Sequence, residues 1–197
     1  MEQNEIIRFF DRCAPQWDAW QLRDQEKLDA ILDAADIAPG VSVLDVACGT
    51  GFLFPDYLAR GAAVTGVDLA PEMARRAREK GGGRVEVLCG DAAALDYGRP
   101  FQRIMVFNAL PHFADPAALA AHLARFLAPG GRLTIAHDMG RAQLNTHHAG
   151  TAGSVSQPLP PAETVAALLA PHVAVDIALD GQDRYVVSGV KRGPKAE

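Results

Sequence analysis

The sequence predicts one α/β domain built on a doubly wound, mostly parallel seven-stranded sheet. Three observations predict it: seven short apolar runs, helical patterns between most of them, and a Gly-Thr-Gly turn directly after the first run. Strands that alternate with helices are typical of a parallel sheet. The last two runs are joined by Asp180-Gly181-Gln182, which predicts an antiparallel hairpin at the C-terminal end.

The predicted elements follow in order along the chain. Two N-terminal helices, 2–13 and 18–35, precede the core and are expected to fold over the site as a lid. The alternating part comprises a strand at 41–47, a helix at 52–60, a strand at 62–67, a helix at 71–80, strands at 84–88 and 104–107, a helix at 116–127 and a strand at 132–136. A last helix at 160–169 leads to the hairpin strands 173–179 and 184–190.

The single domain is expected to have four parts. These are a helical lid at 1–38, a ligand-binding core at 41–136, a polar connection at 138–160, and a terminal helix and hairpin at 161–190. The connection is longer than most links between a strand and a helix, and such loops commonly bind ligands or act as lids. It is therefore expected to be a loop that caps a substrate pocket.

Composition limits the classes of function. The chain has 197 residues, 49% of them hydrophobic and 22% charged, which suits one full core. No apolar run is long enough to span a membrane and the N-terminus has no basic leader, so no stable membrane insertion and a cytoplasmic location are expected. A formal net charge of −5 provides no broad basic field for nucleic acid, which favours a small-molecule substrate. Three scattered cysteines indicate reduced thiols.

The strongest functional signal is the segment 43–52, VLDVACGTGF. Its apolar strand ends at Gly49-Thr50-Gly51, where glycine permits a sharp turn and the close approach of a nucleotide ligand. Asp68 follows the second strand at the distance where a carboxylate holds a ribose diol, and Asp91 follows the third. A dinucleotide fingerprint would need glycine at Phe54, so a smaller adenosine-bearing ligand is favoured. The alternative is that both acids only cap turns or helices.

The combination of these motifs resembles class I S-adenosylmethionine-dependent methyltransferases. It consists of Asp45–Gly51 (DVACGTG), Val67-Asp68 and Gly90-Asp91-Ala92, and the resemblance continues through Asn108–Pro111 to Leu127–Leu133. The opening segment FFDRCAPQWD is similar to that of ubiquinone/menaquinone-type (type 11) small-molecule methyltransferases, with tryptophan where that subgroup usually has tyrosine. The resemblance implies a Rossmann-like fold with the terminal hairpin, S-adenosyl-L-methionine as cofactor, and in-line transfer of a methyl group to a small-molecule acceptor.

The resemblance also implies roles in cofactor binding. Asp68 is expected to accept hydrogen bonds from the ribose and Asp91 to meet the adenine edge, while the Gly49 and Asn108 backbones hold the methionine moiety. The full set of cofactor-binding candidates is Asp45, Ala47, Cys48, Gly49, Gly51, Asp68, Leu69, Met73, Asp91, Ala92, Asn108 and Phe113. The alternative for Asp45 is a structural role in the turn, and for the three larger apolar residues a place in the core.

Histidines supply the candidates for a catalytic base. Methyl transfer does not always need one, but if the acceptor carries a proton the candidates are His137, His112 and His148. His137 is the first choice because it ends the fifth strand, and strand ends face the site. The alternative for each histidine is a structural role.

Candidates for substrate contact lie in the lid and the polar connection. Trp17 and Trp20 are expected to form an apolar lid, Arg141 and Asn145 to bind a carboxylate or carbonyl, and His147 to lie in the cap. The alternative for Arg141 and Asn145 is a place in a surface loop.

Two other functions stay open on the sequence. A metal-assisted methyltransferase could use the histidines around the connection, although their spacing matches no recognised ligand pattern and no metal is expected. A regulatory or scaffold protein could bind the cofactor without turnover. The sequence determines neither the acceptor nor the oligomeric state.

Overall fold

The sheet confirms the predicted doubly wound architecture. The computed structural model describes residues 2–193. The strands in that range are β1 Ser42–Val46, β2 Ala63–Asp68, β3 Glu86–Cys89, β4 Phe101–Phe107, β5 Leu127–His137, β6 Ala174–Asp180 and β7 Tyr185–Val190. Their order is β3-β2-β1-β4-β5-β7-β6. β7 runs antiparallel to both neighbours and the other strands are parallel, so the predicted terminal hairpin is confirmed.

Helices cover both faces of the sheet. They are α1 Gln3–Cys13, α2 Trp17–Trp20, α3 Gln25–Ala34, α4 Phe54–Ala59, α5 Pro71–Gly81, α6 Pro116–Arg125, α7 Arg141–Thr151 and α8 Ala162–Leu169, with 3-10 turns at Ala14–Gln16 and Leu110–His112. Two of them begin at an aspartate whose side chain accepts a hydrogen bond from a backbone amide of the first turn, Asp24 before α3 and Asp115 before α6. Within residues 2–193, no helix combines the length and the apolar character that crossing a bilayer requires.

The second lid helix is shorter than predicted. The pattern at 18–35 predicted one continuous helix with Leu22 on its inner side, but the chain is not helical at 21–24 and α3 begins only at Gln25. Asp24 caps the new helix by accepting a hydrogen bond from the Lys27 amide at 3.2 Å. Leu22 is 91% exposed, so the apolar pattern that placed it on the inner side of the predicted helix was misleading.

The connection at 138–160 was wrongly predicted to be a loop. Its central part forms α7, of which only Leu144 is buried. A helix with one buried residue has almost no apolar periodicity, so its sequence looks like that of a polar loop. The segment is a helix that lies over one end of the sheet.

The two faces of the sheet carry separate cores, and strand alternation decides which residues join each. Leu133 and Ile135 of β5 point to the first core, covered mainly by α6 and α8, whereas Ala136 points to the second, covered by α3, α4 and α5. A third cluster of buried residues, Ala14, Ala70 and Met73, lies separately under the N-terminal segment. The same alternation sends His137 toward the first core.

Candidate functional site

One cavity of about 350 Å³ lies at the carboxyl ends of the parallel strands. Ten of the twelve cofactor-binding candidates line it, namely Ala47, Cys48, Gly49, Asp68, Leu69, Met73, Asp91, Ala92, Asn108 and Phe113. Trp17 and His112 also line it. The cavity lies at the position where open parallel sheets bind their ligands.

The turn after β1 depends on left-handed backbone conformations. The φ angles are +54° at Ala47, +57° at Gly49 and +81° at Gly51. A Cβ at Gly51 would lie 2.5 Å from Cδ2 of Phe54, and one at Gly49 would lie 3.6 Å from Nε1 of Trp17. Glycine therefore allows the sharp turn next to α4, and it adds no side chain to the floor of the cavity.

Asp68 ties this turn to the end of β2. One carboxylate oxygen accepts the Gly49 amide at 2.8 Å and the other accepts the Ala70 amide at 2.9 Å. Burial raises the pKa of Asp68 to about 6. Because each carboxylate oxygen can accept more than one hydrogen bond, Asp68 holds the turn and still presents acceptors to the cavity.

Asp45 and Gly51 lie behind the cavity wall. Burial, with a smaller contribution from the charge of Asp68, raises the pKa of Asp45 to about 8. The Tyr57 hydroxyl donates to Asp45 at 3.4 Å. The position of Asp45 therefore agrees with a structural role in the turn. It does not agree with direct contact between Asp45 and a ligand.

Asp91 lies at the mouth of the cavity. One of its oxygens accepts the Ala93 amide at 2.9 Å, which closes the turn after β3. The other accepts Nε2 of Gln3 at 3.2 Å, so α1 reaches across the opening. The sequence carried no signal for Gln3, because the contact joins residues 88 positions apart.

Asn108 and Asp138 form a reciprocal pair at the ends of β4 and β5. Nδ2 of Asn108 donates to the Asp138 carboxylate at 2.9 Å, and its Oδ1 accepts the Asp138 amide at 3.1 Å. Lys27 of α3 donates to the Asp138 carbonyl at 3.0 Å. The Asn108 side chain is therefore occupied, and its backbone, at a φ of +52°, is the part available to a ligand.

His112 is the histidine that the structure brings to the cavity. Its Nδ1 lies 2.8 Å from the Val155 carbonyl, and since a carbonyl only accepts, Nδ1 carries the proton. Burial lowers the pKa of His112. Phe10 packs edge-on against the ring at 5.0 Å. The neutral imidazole thus has a fixed orientation and keeps the lone pair of Nε2 for another partner.

The expectation that His137 faces the site is wrong. The backbone of this residue does end β5, but the pleat turns its side chain to the face of Leu133 and Ile135, where it is fully buried beside Tyr185. Burial lowers its pKa to about 3, with the neighbouring His112 and His148 adding to the effect. His148 is likewise shifted by burial to a pKa of about 4 and does not line the cavity.

Several buried polar atoms in this region have no hydrogen-bond partner among the described residues. They are Nδ1 and Nε2 of His137, Nδ1 of His148 and the Tyr185 hydroxyl. Each such atom costs roughly 1–3 kcal/mol in stability when it is left unpaired. Their concentration in one place therefore calls for a functional explanation.

The other substrate candidates lie away from the cavity. Arg141 pairs with Asp180 at 2.7 Å, and Asn145 exchanges hydrogen bonds with the backbone of Leu159 at 3.2 and 2.7 Å. These contacts fasten α7 to its surroundings, which is a structural role. Trp20 is 58% exposed and His147 is also exposed.

No metal centre is formed by the part of the chain that the structure describes. Within it, no three His, Cys, Asp or Glu side chains are placed so that they could hold one ion. Around α7, Asp138 is paired with Asn108. The histidines around α7 and Asp138 therefore do not make up a ligand set.

Comparisons with known proteins agree with this geometry. A family model described as a methyltransferase domain matches residues 43–131, which contain the glycine turn, Asp68 and Asp91. The ubiquinone biosynthesis O-methyltransferase of Xanthomonas oryzae pv. oryzae is 36% identical over 144 residues, which cover 66% of this chain and 59% of that protein. The nocamycin O-methyltransferase of Saccharothrix syringae is 38% identical over 134 residues, which cover 63% of this chain and 48% of that protein.

The chain thus spans about half to three fifths of the length of these curated relatives. Among solved structures, an N-methyltransferase from Bradyrhizobium japonicum in complex with S-adenosyl-L-homocysteine superimposes with a TM-score of 0.74 at 19% identity, covering 94% of this chain and 97% of that one. At that identity the likeness establishes the fold. The match to the methyltransferase-domain family and the curated relatives support a class I S-adenosylmethionine-dependent methyltransferase of the type 11 kind.

Proposed function

We propose that this protein transfers a methyl group from S-adenosyl-L-methionine to a small-molecule acceptor. The observation that carries the proposal is Asp68, which is anchored to the glycine turn and presented to the cavity. Asp68 and Asp45 behind it are buried carboxyls without a cationic partner among the described residues. A ligand that brings positive charge would stabilise both in their ionised form.

The cavity wall fits the parts of this cofactor. Asp68 would accept from the ribose hydroxyls, and Asp91 with the Ala92 amide would meet the adenine edge. The backbones of Gly49 and Asn108 would hold the methionine moiety. The apolar side chains Leu69, Met73 and Phe113 would pack against the adenine. When bound, the cofactor supplies a methyl group on a cationic sulfur, whose charge is lost on transfer.

His112 is the proposed proton acceptor. Its Nδ1 proton is held by the Val155 carbonyl, so Nε2 can take a proton from the nucleophile of the acceptor. Phe10 and Trp17 on the wall exclude water, and a dry pocket favours a step in which charge disappears. For a nucleophile that carries no proton, positioning by the wall is sufficient.

The acceptor is proposed to be a small molecule. The relatives above are named as O-methyltransferases of ubiquinone biosynthesis and of nocamycin, and both of these compounds are small molecules. The net charge of −5 also disfavours a nucleic acid partner.

The test begins with cofactor and a panel of quinols, phenols, thiols and carboxylates. Purified protein should release S-adenosyl-L-homocysteine in an acceptor-dependent way, as measured by mass spectrometry. Asp68→Ala should weaken the binding of S-adenosyl-L-homocysteine, measured by calorimetry, by roughly 1–3 kcal/mol because ribose hydrogen bonds are lost.

Asp176→Ala provides a matched control, because it removes a carboxylate that pairs with Arg132 away from the cavity. It should leave the affinity unchanged. Failure of the parent protein to bind S-adenosyl-L-homocysteine would refute the proposal. Binding without turnover of any acceptor would instead support the regulatory alternative.

A further inference from the structure

Four side chains, two buried and two half-buried, form a polar group that the cofactor roles do not use. We call His112, His137, His148 and Tyr185 the histidine–tyrosine cluster. The rings of His112 and His148 lie 5.2 Å apart, and those of His137 and Tyr185 lie 5.9 Å apart. His137 and Tyr185 also face each other across the β5–β7 pair. Except for His112, every member has a buried polar atom without a partner among the described residues.

The cluster begins at the cavity and runs inward beneath α7. His112 lines the cavity, His148 contacts it from α7, and His137 with Tyr185 lies deeper on the sheet. α7 buries only Leu144. Because α7 buries so little apolar surface, an outward movement that connects the cluster with the cavity would cost the core little, although it would strain the polar contacts of Arg141 and Asn145.

The size of the cavity supports such an extension. At about 350 Å³, it lies near the lower limit for a pocket that holds one drug-sized ligand. The proposed reaction needs room for the cofactor and for an acceptor at the same time. The cluster is the neighbouring region in which buried polar atoms have no hydrogen-bond partner among the described residues.

The chemistry of the cluster selects an uncharged polar group. A neutral imidazole offers one donor and one acceptor, and the Tyr185 hydroxyl can do both. The nearby cation of Arg141 is already paired with Asp180, so a buried carboxylate would find no counter-charge. A hydroxyl both donates and accepts, and it therefore matches the cluster.

We propose that His137, His148 and Tyr185 form a recognition subsite for an uncharged hydroxyl group of the acceptor, set apart from the atom that receives the methyl group. This inference rests on the proposed function, since the subsite serves the same reaction. His112 stands between the two regions and faces the reacting nucleophile. Phe10 and Trp17 favour an apolar, ring-shaped body between the two polar ends.

The first test uses three ligands of similar shape, namely benzyl alcohol, toluene and benzoate. Each is titrated into protein loaded with S-adenosyl-L-homocysteine while the ring-nitrogen NMR signals of His137 and His148 are observed. Benzyl alcohol should shift both signals, whereas toluene and benzoate should not. Signals that stay unmoved with benzyl alcohol, or that respond more strongly to benzoate, would overturn the subsite.

The second test compares two buried tyrosines. The Tyr97 hydroxyl donates to the Ala92 carbonyl at 3.1 Å, whereas the Tyr185 hydroxyl has no partner among the described residues. Tyr97→Phe should lower the melting temperature because a hydrogen bond is lost. Tyr185→Phe should leave it equal or raise it, and should weaken benzyl alcohol binding about tenfold. A hydroxyl that served folding alone would give a lower melting temperature and unchanged binding, which would overturn the proposal.

Two further measurements separate the possible failures. His148→Asn, on the outer helix α7, should weaken benzyl alcohol binding even if the Tyr185 variant does not fold. Unchanged binding in that variant would count against the subsite. The affinity for S-adenosyl-L-homocysteine should be the same in the Tyr185 and His148 variants as in the parent. If the parent does not bind it, the proposed function fails; if it binds normally but benzyl alcohol does not, only the subsite fails.

Discussion

Two parts of the carboxyl-end side of the sheet differ in how their polar groups are paired. At the cofactor edge, formed by the ends of β1, β2 and β3, both oxygens of Asp68 and both of Asp91 accept hydrogen bonds. At the proposed acceptor edge, formed by the end of β5 and the start of β7, the buried polar atoms of His137 and Tyr185 have no hydrogen-bond partner among the described residues. In the proposed function, the part with paired polar groups holds the cofactor, and the part with unpaired polar groups receives the acceptor.

The two edges also respond to pH with opposite sign. Burial raises the pKa values of Asp45 and Asp68 to about 8 and about 6, so protonation as the pH falls stabilises the fold. Burial lowers the pKa values of His137 and His148 to about 3 and about 4. As the pH falls from 6.5 toward these values, only the unfolded chain takes up the protons, so the folded state loses stability. Variants at single positions can separate the two effects.

The largest expected effect concerns His112, which joins the two edges. His112→Asn should lower kcat about 10²- to 10⁴-fold for an acceptor that loses a proton, because the base is removed. Since burial lowers the pKa of His112, kcat/KM of the parent should rise with pH through a value below 6.5 and then stay level. A thiol that is already ionised should be much less affected. An unchanged pH profile in the variant would exclude His112 as the base.

The next effect concerns the pH dependence of the acceptor edge. The unfolded chain protonates His137 below pH 6.5, but the folded chain does so only near pH 3. Between these values, His137 should lower the free energy of unfolding by up to about 1.4 kcal/mol per pH unit as the pH falls. His137→Leu should remove this contribution, as measured by urea denaturation from pH 7 to pH 4. The difference between variant and parent is the relevant quantity, because the carboxyls of the cofactor edge act in the opposite direction.

A comparable effect is expected at the cofactor edge, where the backbone is tightly constrained. Gly51→Ala should lower the free energy of unfolding by about 1–3 kcal/mol, because a side chain there is strained at a φ of +81° and meets the Phe54 ring. Gly82→Ala is the control, since Gly82 also has a positive φ but no atom within 4 Å of an added Cβ. Equal losses for both variants would mean that the contact with Phe54 contributes nothing.

The smallest effect should come from Arg141. Its ion pair with Asp180 is partly exposed, so Arg141→Ala should cost about 0–1 kcal/mol in thermal unfolding. KM for any acceptor should stay unchanged because the side chain does not line the cavity. A strongly raised KM would show that Arg141 contacts the substrate after all. It would then weaken the contrast between the cofactor edge and the acceptor edge.

The cofactor edge was largely predictable from the sequence because its residues follow the strands directly. The glycine turn, Asp68 and Asp91 each lie next to an apolar run, so their positions follow from the order of strands in a parallel sheet. The sheet was predictable for the same reason, since its apolar runs are short and well separated.

The acceptor edge was not predictable because it depends on tertiary detail. The direction of the His137 side chain depends on the pleat of β5, where a change of one position moves a residue to the other face. α7 has too little apolar periodicity to be recognised as a helix. The pairing of Asn108 with Asp138 joins two strand ends 30 residues apart.

The N-terminal helix α1 has a consequence for how such proteins diversify. No residue of α1 is buried, and it is fastened by polar contacts such as the bond from the Glu72 amide to Asp11 at 2.8 Å. The two large cores contain no residue of α1, and only the small cluster of Ala14, Ala70 and Met73 is packed against it. An opening segment from another member could therefore be grafted onto this sheet at little expense in folding, so selectivity for new acceptors can evolve while the adenosyl-binding corner is inherited intact.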